Sequence, residues 1–258
     1  MAYENIQMSR EGAIATITVN RPKALNALNS ATLRELLQAV RDAADTSRAV
    51  ILTGAGDRAF VAGADISEMA PMTPWSAREF SELGHLLTAM LEDIPCATIA
   101  AVNGYALGGG LELAVACDMI YASDNAKIGF PEVTLGITPG FGGTQRLVRL
   151  VGKLRAKEII FTGDMVDANQ ALEIGLVNAV LPRGELMAHC RKVAEKIATR
   201  GPLAVARAKR LVERGYDIPL RAANRQEAET FALLFDTQDR AEGMRAFLEK
   251  RPAKFVGK

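Results

Sequence analysis

"AVNGYALGGGLELAVACD" (residues 101–118) decides how this chain is read. From Ile94 to Leu111 no residue is charged; Glu112 follows, and apolar residues then run to Asp118. An uncharged run of this length approaches what a membrane helix needs. Pro95, Asn103, Gly104 and the glycines 108–110 interrupt it, and breakers at that density favour a buried strand, a turn and a buried helix. A glutamate inside such a segment is costly unless a partner or a reaction uses it.

Outward from this segment, strand and helix patterns alternate. "AIATITVN" (13–20) predicts a strand. Thr32 and Glu35 have capping-box spacing ahead of an apolar face of Leu33, Leu36, Leu37 and Val40, which predicts a helix starting at Thr32. "AVILTG" (49–54), "ATIAAVNG" (97–104), "DMIYAS" (118–123) and "LVNAVLP" (176–182) predict further strands, and "AFVAGADI" (59–66) a short extended piece. Residues 67–91 open as an irregular stretch rich in Met, Pro and Ser and pass into a helix carrying Phe80, Leu83, Leu87 and Met90. A helix is expected from the 108–110 glycines to about Cys117, and from Gly201 onward the pattern is almost wholly helical. The expected class is therefore α/β over 1–200, followed by a helical module over 201–258. No repeated motif and no low-complexity linker is visible.

The 258 residues carry a net charge of +1, with 49% hydrophobic and 24% charged residues, as in a soluble globular protein. No global field draws the chain to nucleic acid or to an anionic membrane. Cys96, Cys117 and Cys190 are odd in number, scattered and set among apolar residues, which predicts reduced thiols and a cytoplasmic location. The first residues lack a basic segment followed by an apolar one, so no signal peptide is expected. Neither His85 nor His189 sits in a ligand cluster, and no metal site is expected.

The glycine clusters fail the nucleotide-loop test. Gly54 and Gly56 have Ala59 in the third place and no helix after them; Gly108 and Gly110 have Leu113 there, Gly140 and Gly142 have Gln145, and no G-K-[ST] occurs. Glycines at a helix start offer something else. The first helical N–H groups lack internal partners and carry the positive end of the dipole, and without side chains a ligand atom can approach them. Two readings of the segment stay open at this point: close packing with Glu112 paired to a buried cation, or an oxyanion hole with Glu112 beside it. A second carboxylate, Glu132 in "GFPEVTLGITPGFGG", tilts the balance toward general acid–base chemistry on an activated carbonyl.

Taken in order, "NRPKALNAL" (20–28), "AFVAGADISEM" (59–69), "AAVNGYALGGGLELAVACD" (100–118), "FPEVTLGITPGFGGTQRL" (130–147) and "TQDRAEGMRAFLEKRPAKF" (237–255) resemble the crotonase (enoyl-CoA hydratase/isomerase) superfamily along the whole chain. The resemblance implies a spiral of repeated ββα units with C-terminal helices that build a trimer, often a dimer of trimers. It implies an acyl-CoA substrate whose thioester oxygen is held by the N–H groups of Ala64 and Gly109. Glu112 and Glu132 match the two glutamates of the family's hydratases, and relatives with other chemistries lack one or both. By the same resemblance, Lys23 reaches the coenzyme A phosphates, and Ala62 to Ile66 meet the adenine and pantetheine. Asp65, inside that binding loop, shapes the turn more than it touches substrate. Lys250 reaches coenzyme A on a neighbouring subunit, with Phe255 packed nearby. No cofactor is implied beyond the coenzyme A of the substrate, and no metal. Ser67 stands where many relatives carry a lysine. Met69, Met72 and Trp75 are candidates for the acyl pocket.

The expected activity is hydration of a 2-enoyl-CoA in fatty-acid metabolism. The alternatives are Δ3–Δ2 enoyl-CoA isomerisation or hydration in aromatic-acid breakdown and, in another class, a non-catalytic RNA-binding relative. Near-neutral charge without a basic stripe argues against the last.

Overall fold

The structure, a computed structural model, describes residues 3–258. In chain order it contains β1 (Ile6–Glu11), β2 (Ile14–Val19), α1 (Ser30–Thr46), β3 (Ala49–Gly54), β4 (Ala59–Val61), α2 (Ile66–Met69) and α3 (Pro74–Asp93). There follow β5 (Ala97–Val102), β6 (Tyr105–Leu107), α4 (Gly109–Val115), β7 (Met119–Ser123), β8 (Lys127–Gly129), α5 (Gly143–Thr162), β9 (Met165–Asp167), α6 (Ala168–Glu173), β10 (Ala179–Leu181) and α7 (Leu186–Ala198). α8 (Pro202–Tyr216), α9 (Leu220–Leu234) and α10 (Gln238–Leu248) complete it.

Two sheets organise these elements. The larger has six strands in the order β1-β2-β3-β5-β7-β10, the smaller four in the order β4-β6-β8-β9. All pairings are parallel except β1 with β2 and β8 with β9. The chain visits the large sheet, then the small sheet, then a helix, three times over: β3–β4–α3, β5–β6–α4, β7–β8–α5. This is the expected ββα spiral, a repeat of position with no matching repeat of residues.

The large sheet is covered on both faces, so its central strands read as unbroken apolar runs. Ala15, Ile17, Val19, Val50, Leu52, Ala100 and Val102 face the main core with α1, α3 and α4. Their alternates Ile14, Ala49, Ile51, Ile99 and Ala101 face a second core under α7, with Leu186, Cys190 and Ala194. That double burial, not a bilayer, explains the uncharged stretch before Glu112. No helix among the described residues is long and apolar enough to cross a membrane.

Local expectations differ from the structure at several places, and the short strands β6, β8 and β9 are not singled out by the sequence pattern. The first helix begins at Ser30, not Thr32: Asn29 caps it, accepting from Thr32 N at 2.8 Å, while Glu35 accepts the amides of Glu4 and Asn5. The stretch from 67 is helical through Met69 and again from Pro74, where Thr73 and Ser76 form a reciprocal capping box and proline occupies the first turn. α4 ends at Val115, two residues before Cys117. β1, which the sequence pattern did not single out, pairs along its whole length with β2.

The C-terminal helices are tied down by charge more than by burial. Neither α8 nor α9 has a buried residue, and Val212, Leu220, Phe231, Leu233 and Phe247 are largely exposed. Yet the Lys209 side chain on α8 is only 7% exposed. Its Nζ donates to Leu91 O at 2.7 Å and Cys96 O at 3.2 Å and lies 3.0 Å from Asp118 Oδ2. Asp118 Oδ2 also accepts from Thr98 N at 2.6 Å and Thr98 Oγ1 at 2.9 Å. Removing one partner of a buried pair strands the other. Lys209→Met is expected to lower the free energy of unfolding by about 3 kcal/mol, the low end for such pairs because Thr98 still serves Asp118; denaturant titration measures it.

Candidate active site

The small sheet builds the site. Its strands β4, β6 and β8 run parallel, with Val61 opposite Ala106 and Leu107 opposite Gly129. Ala64, Gly109 and Glu132 each follow within three residues of a strand's C-terminal end, the side where open parallel sheets take their ligands.

Ala64 pairs with Leu28 in an isolated parallel bridge. The bonds of that bridge are Leu28 N to Gly63 O at 2.9 Å and Asp65 N to Leu28 O at 2.7 Å. In a parallel bridge the flanking groups bond the partner, so the N–H of Ala64 itself points away from Leu28. Gly63 has φ +112°, and a Cβ built on it would lie 3.4 Å from Leu107 O, which places the Ala64 turn beside the start of α4. There Gly109 is the first helical residue, with an N–H that has no intrahelical partner. Gly108 turns the chain into the helix at φ +50° and ψ −123°, open to glycine. A side chain on Gly110 would overlap the Val61 carbonyl, so α4 lies hard against β4.

Glu112, in the first turn of α4, is 1% exposed. Its Oε1 accepts from Phe141 N and Gly143 N, both at 2.7 Å. Burial pushes its pKa up, while the amides of Gly143, Phe141 and Gly140 and the Arg146 charge hold it down. Glu132 lies on a 3₁₀ turn, Pro131–Leu135. Its carboxylate rests on Gly108: a Cβ there would be 2.5 Å from Oε1. Burial, reinforced by the charge of Glu112, raises the Glu132 pKa to about 7. Its Oε2 is buried and has no hydrogen-bond partner among the described residues. An unsatisfied buried oxygen beside a buried carboxylate is costly, and proteins keep such groups chiefly where chemistry uses them.

The remaining predicted residues are distributed around this centre. Ala62 N donates to Leu25 O at 3.1 Å, and Ile66 is 51% exposed at the start of α2. Asp65 is engaged within its own loop. It accepts from Ser67 N at 3.1 Å, Ser67 Oγ at 2.6 Å and Arg21 Nη2 at 2.9 Å, and Ser67 first and Arg21 next hold its carboxyl below the usual range. Ser67 is thus part of the α2 cap. Lys23 is exposed on the turn Pro22–Ala24, and Lys250 is exposed just past α10 with φ +55°. Phe255 packs against Gly201 and Gly243 among the C-terminal helices. Met69 and Met72 pack on the main core; Trp75 is 67% exposed, with the Arg78 guanidinium 5.8 Å from its ring centre.

Two sets of residues escaped the sequence reading. Asn26, buried at φ +61°, bonds Arg21 N, Ala55 O and Ala59 O, and Arg21 also donates to Ala27 O, so both lock the 21–28 loop against Ala64. The 140–143 glycine cluster, tested above as a phosphate loop, instead turns its amides onto Glu112. The visible signal is the three glycines of "TPGFGG" (138–143), which serve no nucleotide loop.

Residues 9–258 match the sequence pattern of the enoyl-CoA hydratase/isomerase family. The chain is 49% identical to a crotonyl-CoA hydratase of Syntrophomonas wolfei over 100% of both chains, and 49% identical to a short-chain-enoyl-CoA hydratase of Clostridium acetobutylicum over 97% of both. The crystal structure of an enoyl-CoA hydratase from Bacillus anthracis superposes with a TM-score of 0.96 at 41% identity, covering 99% of this chain and 100% of that one.

The raised pKa of Glu132 has a consequence for stability. A carboxyl whose folded pKa exceeds its unfolded value contributes stability that is complete below the unfolded pKa and lost as pH rises through the folded one, here between about 4.5 and 7. Glu132→Gln, which never ionises, is therefore expected to gain in melting temperature over the native chain at pH 8, with the gain shrinking by pH 5; paired thermal melts measure the difference.

Proposed function

The chain belongs to the enoyl-CoA hydratase/isomerase family and is an enzyme of it, and from that premise we propose that it adds water across the 2,3 double bond of a 2-enoyl-CoA to give a 3-hydroxyacyl-CoA. The thioester oxygen sits between Ala64 N–H and Gly109 N–H. Negative charge grows on that oxygen as water adds to the β carbon, and one such donor is worth about 2.7–4 kcal/mol of transition-state stabilisation in other enzymes. Glu112 orients and deprotonates the water through the oxygen that the loop amides leave free. Glu132 delivers a proton to the α carbon. The two carboxyls share the work because burial and mutual repulsion keep one of them protonated while the other is ionised.

The observation that carries this reading is the pair itself: one carboxylate fixed by two amides, the other with a pKa near neutrality and an unpartnered buried oxygen. In this reading the backbone of Ala62 to Ile66, with Ala64 and Asp65 inside it, meets the adenine and pantetheine of the acyl-CoA, and Ala64 and Gly109 meet its thioester. Lys23 stands at the phosphates, and Lys250 reaches coenzyme A of a neighbouring subunit. No cofactor beyond that coenzyme A enters the scheme. The relatives named for crotonyl-CoA and short-chain enoyl-CoA support a short acyl chain. The unburied apolar faces of α8 and α9 support a homotrimer or a dimer of trimers.

Glu112→Gln and Glu132→Gln are each expected to lower turnover of crotonyl-CoA by roughly 100-fold or more while coenzyme A ester binding persists, since general acid–base help is worth about 10²–10⁴-fold. Loss of the conjugated thioester absorbance follows the reaction; near-native turnover in either variant defeats the assignment.

A further inference from the structure

The amides that hold Glu112 belong to a loop that is itself held. On α3, Ser81, Thr88 and Glu92 fall on one face, at spacings of seven and four. Ser81 Oγ donates to Gly140 O at 2.5 Å and Thr88 Oγ1 to Phe141 O at 3.1 Å. Glu92 takes both arms of the Arg146 guanidinium, Nε at 2.5 Å and Nη2 at 2.7 Å, and the third nitrogen, Nη1, donates to Phe141 O at 3.1 Å. The pair is mostly buried, at 17% and 27% exposure. The guanidinium also lies where a side chain on Gly142 would be, so the loop is folded around it at φ +105°. The planar fork of arginine is filled on all sides, a geometry that lysine does not reproduce.

We infer that Arg146, locked by Glu92, is a positioning residue for hydration: it clamps the 140–143 loop so that the Phe141 and Gly143 amides fix one oxygen of Glu112 and leave the other for water. The inference rests on the reading of Glu112 as the residue that activates water. It adds the origin of that residue's orientation, which none of the substrate-facing groups supplies. The charged and titratable groups around Glu112 are Glu132 from the 3₁₀ turn, Arg146 from α5, and Glu92 and His85 from α3, with the His85 ring near Gly142. The Arg146 cation lowers the Glu112 pKa, and Glu92 offsets part of that cation.

The test uses the full-length protein, with crotonyl-CoA as probe, and reads kcat, KM and the pH profile of kcat for Arg146→Met, Arg146→Lys and Glu92→Gln, alongside Glu112→Gln. Arg146→Met is expected to lose roughly 10- to 100-fold in kcat with KM changed little, the scale of a misplaced catalytic group. Its acidic limb moves to higher pH, because Glu112 loses a neighbouring cation. Glu92→Gln leaves that cation uncompensated, so its acidic limb moves to lower pH; general loosening of the fold would not shift the two limbs in opposite directions. Arg146→Lys keeps the charge, loses the fork, and is expected to show a near-native limb with reduced kcat. Native-like circular dichroism and melting behaviour are checked on each variant. Arg146→Met with kcat within about twofold of native, or with reduced kcat and an unmoved limb, overturns the inference while an inactive Glu112→Gln leaves the hydratase reading standing. An active Glu112→Gln overturns both.

Discussion

A carboxylate buried to 1% exposure in an apolar core is the constraint on which this structure turns. Taking such a group out of water is affordable only with donors in place, and here they are two backbone amides on one oxygen. Much else follows. The 140–143 loop must present the amides of Phe141 and Gly143 inward, which goes with glycine at φ +105° at 142, while Arg146 and Thr88 hold the Phe141 carbonyl and Ser81 that of Gly140. The neighbouring elements must come close enough to exclude water, which fixes glycine at 108 and 110 and sets Phe130 and Phe141 against the site. The second carboxylate then inherits a raised pKa from the same dry surroundings and from the first charge.

The small sheet explains why these groups meet. Three short parallel strands deliver Ala64, Gly109 with Glu112, and Glu132 from successive turns of the spiral, all at one end of the sheet. Each strand has three residues, too few to be conspicuous alone, and the large sheet beneath supplies the rigidity they lack. A site spread over a long stretch of chain is thus set by the register of neighbouring strands more than by flexible loops, which suits chemistry that tolerates little misplacement.

Much of this was legible in the residues. The central strands of the large sheet announced themselves because both faces are buried, and Glu112 stood out because nothing charged surrounds it. The ββα repeat was not legible, since its turns share position and not sequence. The capping box expected at Thr32 and Glu35 is absent for a local reason: the spacing is right, but Asn29 takes the Thr32 amide and Glu35 accepts the amides of Glu4 and Asn5 just ahead of β1. Asn26 and Arg146 stay hidden because their partners are set by the fold: Asn26 donates to the carbonyls of Ala55 and Ala59, Arg146 pairs with Glu92 on α3, and a side-chain pattern carries no record of such partners. The 140–143 glycines were noticed but tested only against phosphate binding; an amide cradle for an internal carboxylate uses the same backbone geometry without a phosphate.

The succession of spiral turns also orders events in time. Every group at the centre lies between residues 64 and 146, and each turn of the spiral packs on the one before it. A nascent chain emerging N-terminus first can finish the acid pair and its amide cradle while α8 to α10 are still being synthesised. The late helices then add their lysine clamp to a centre already built.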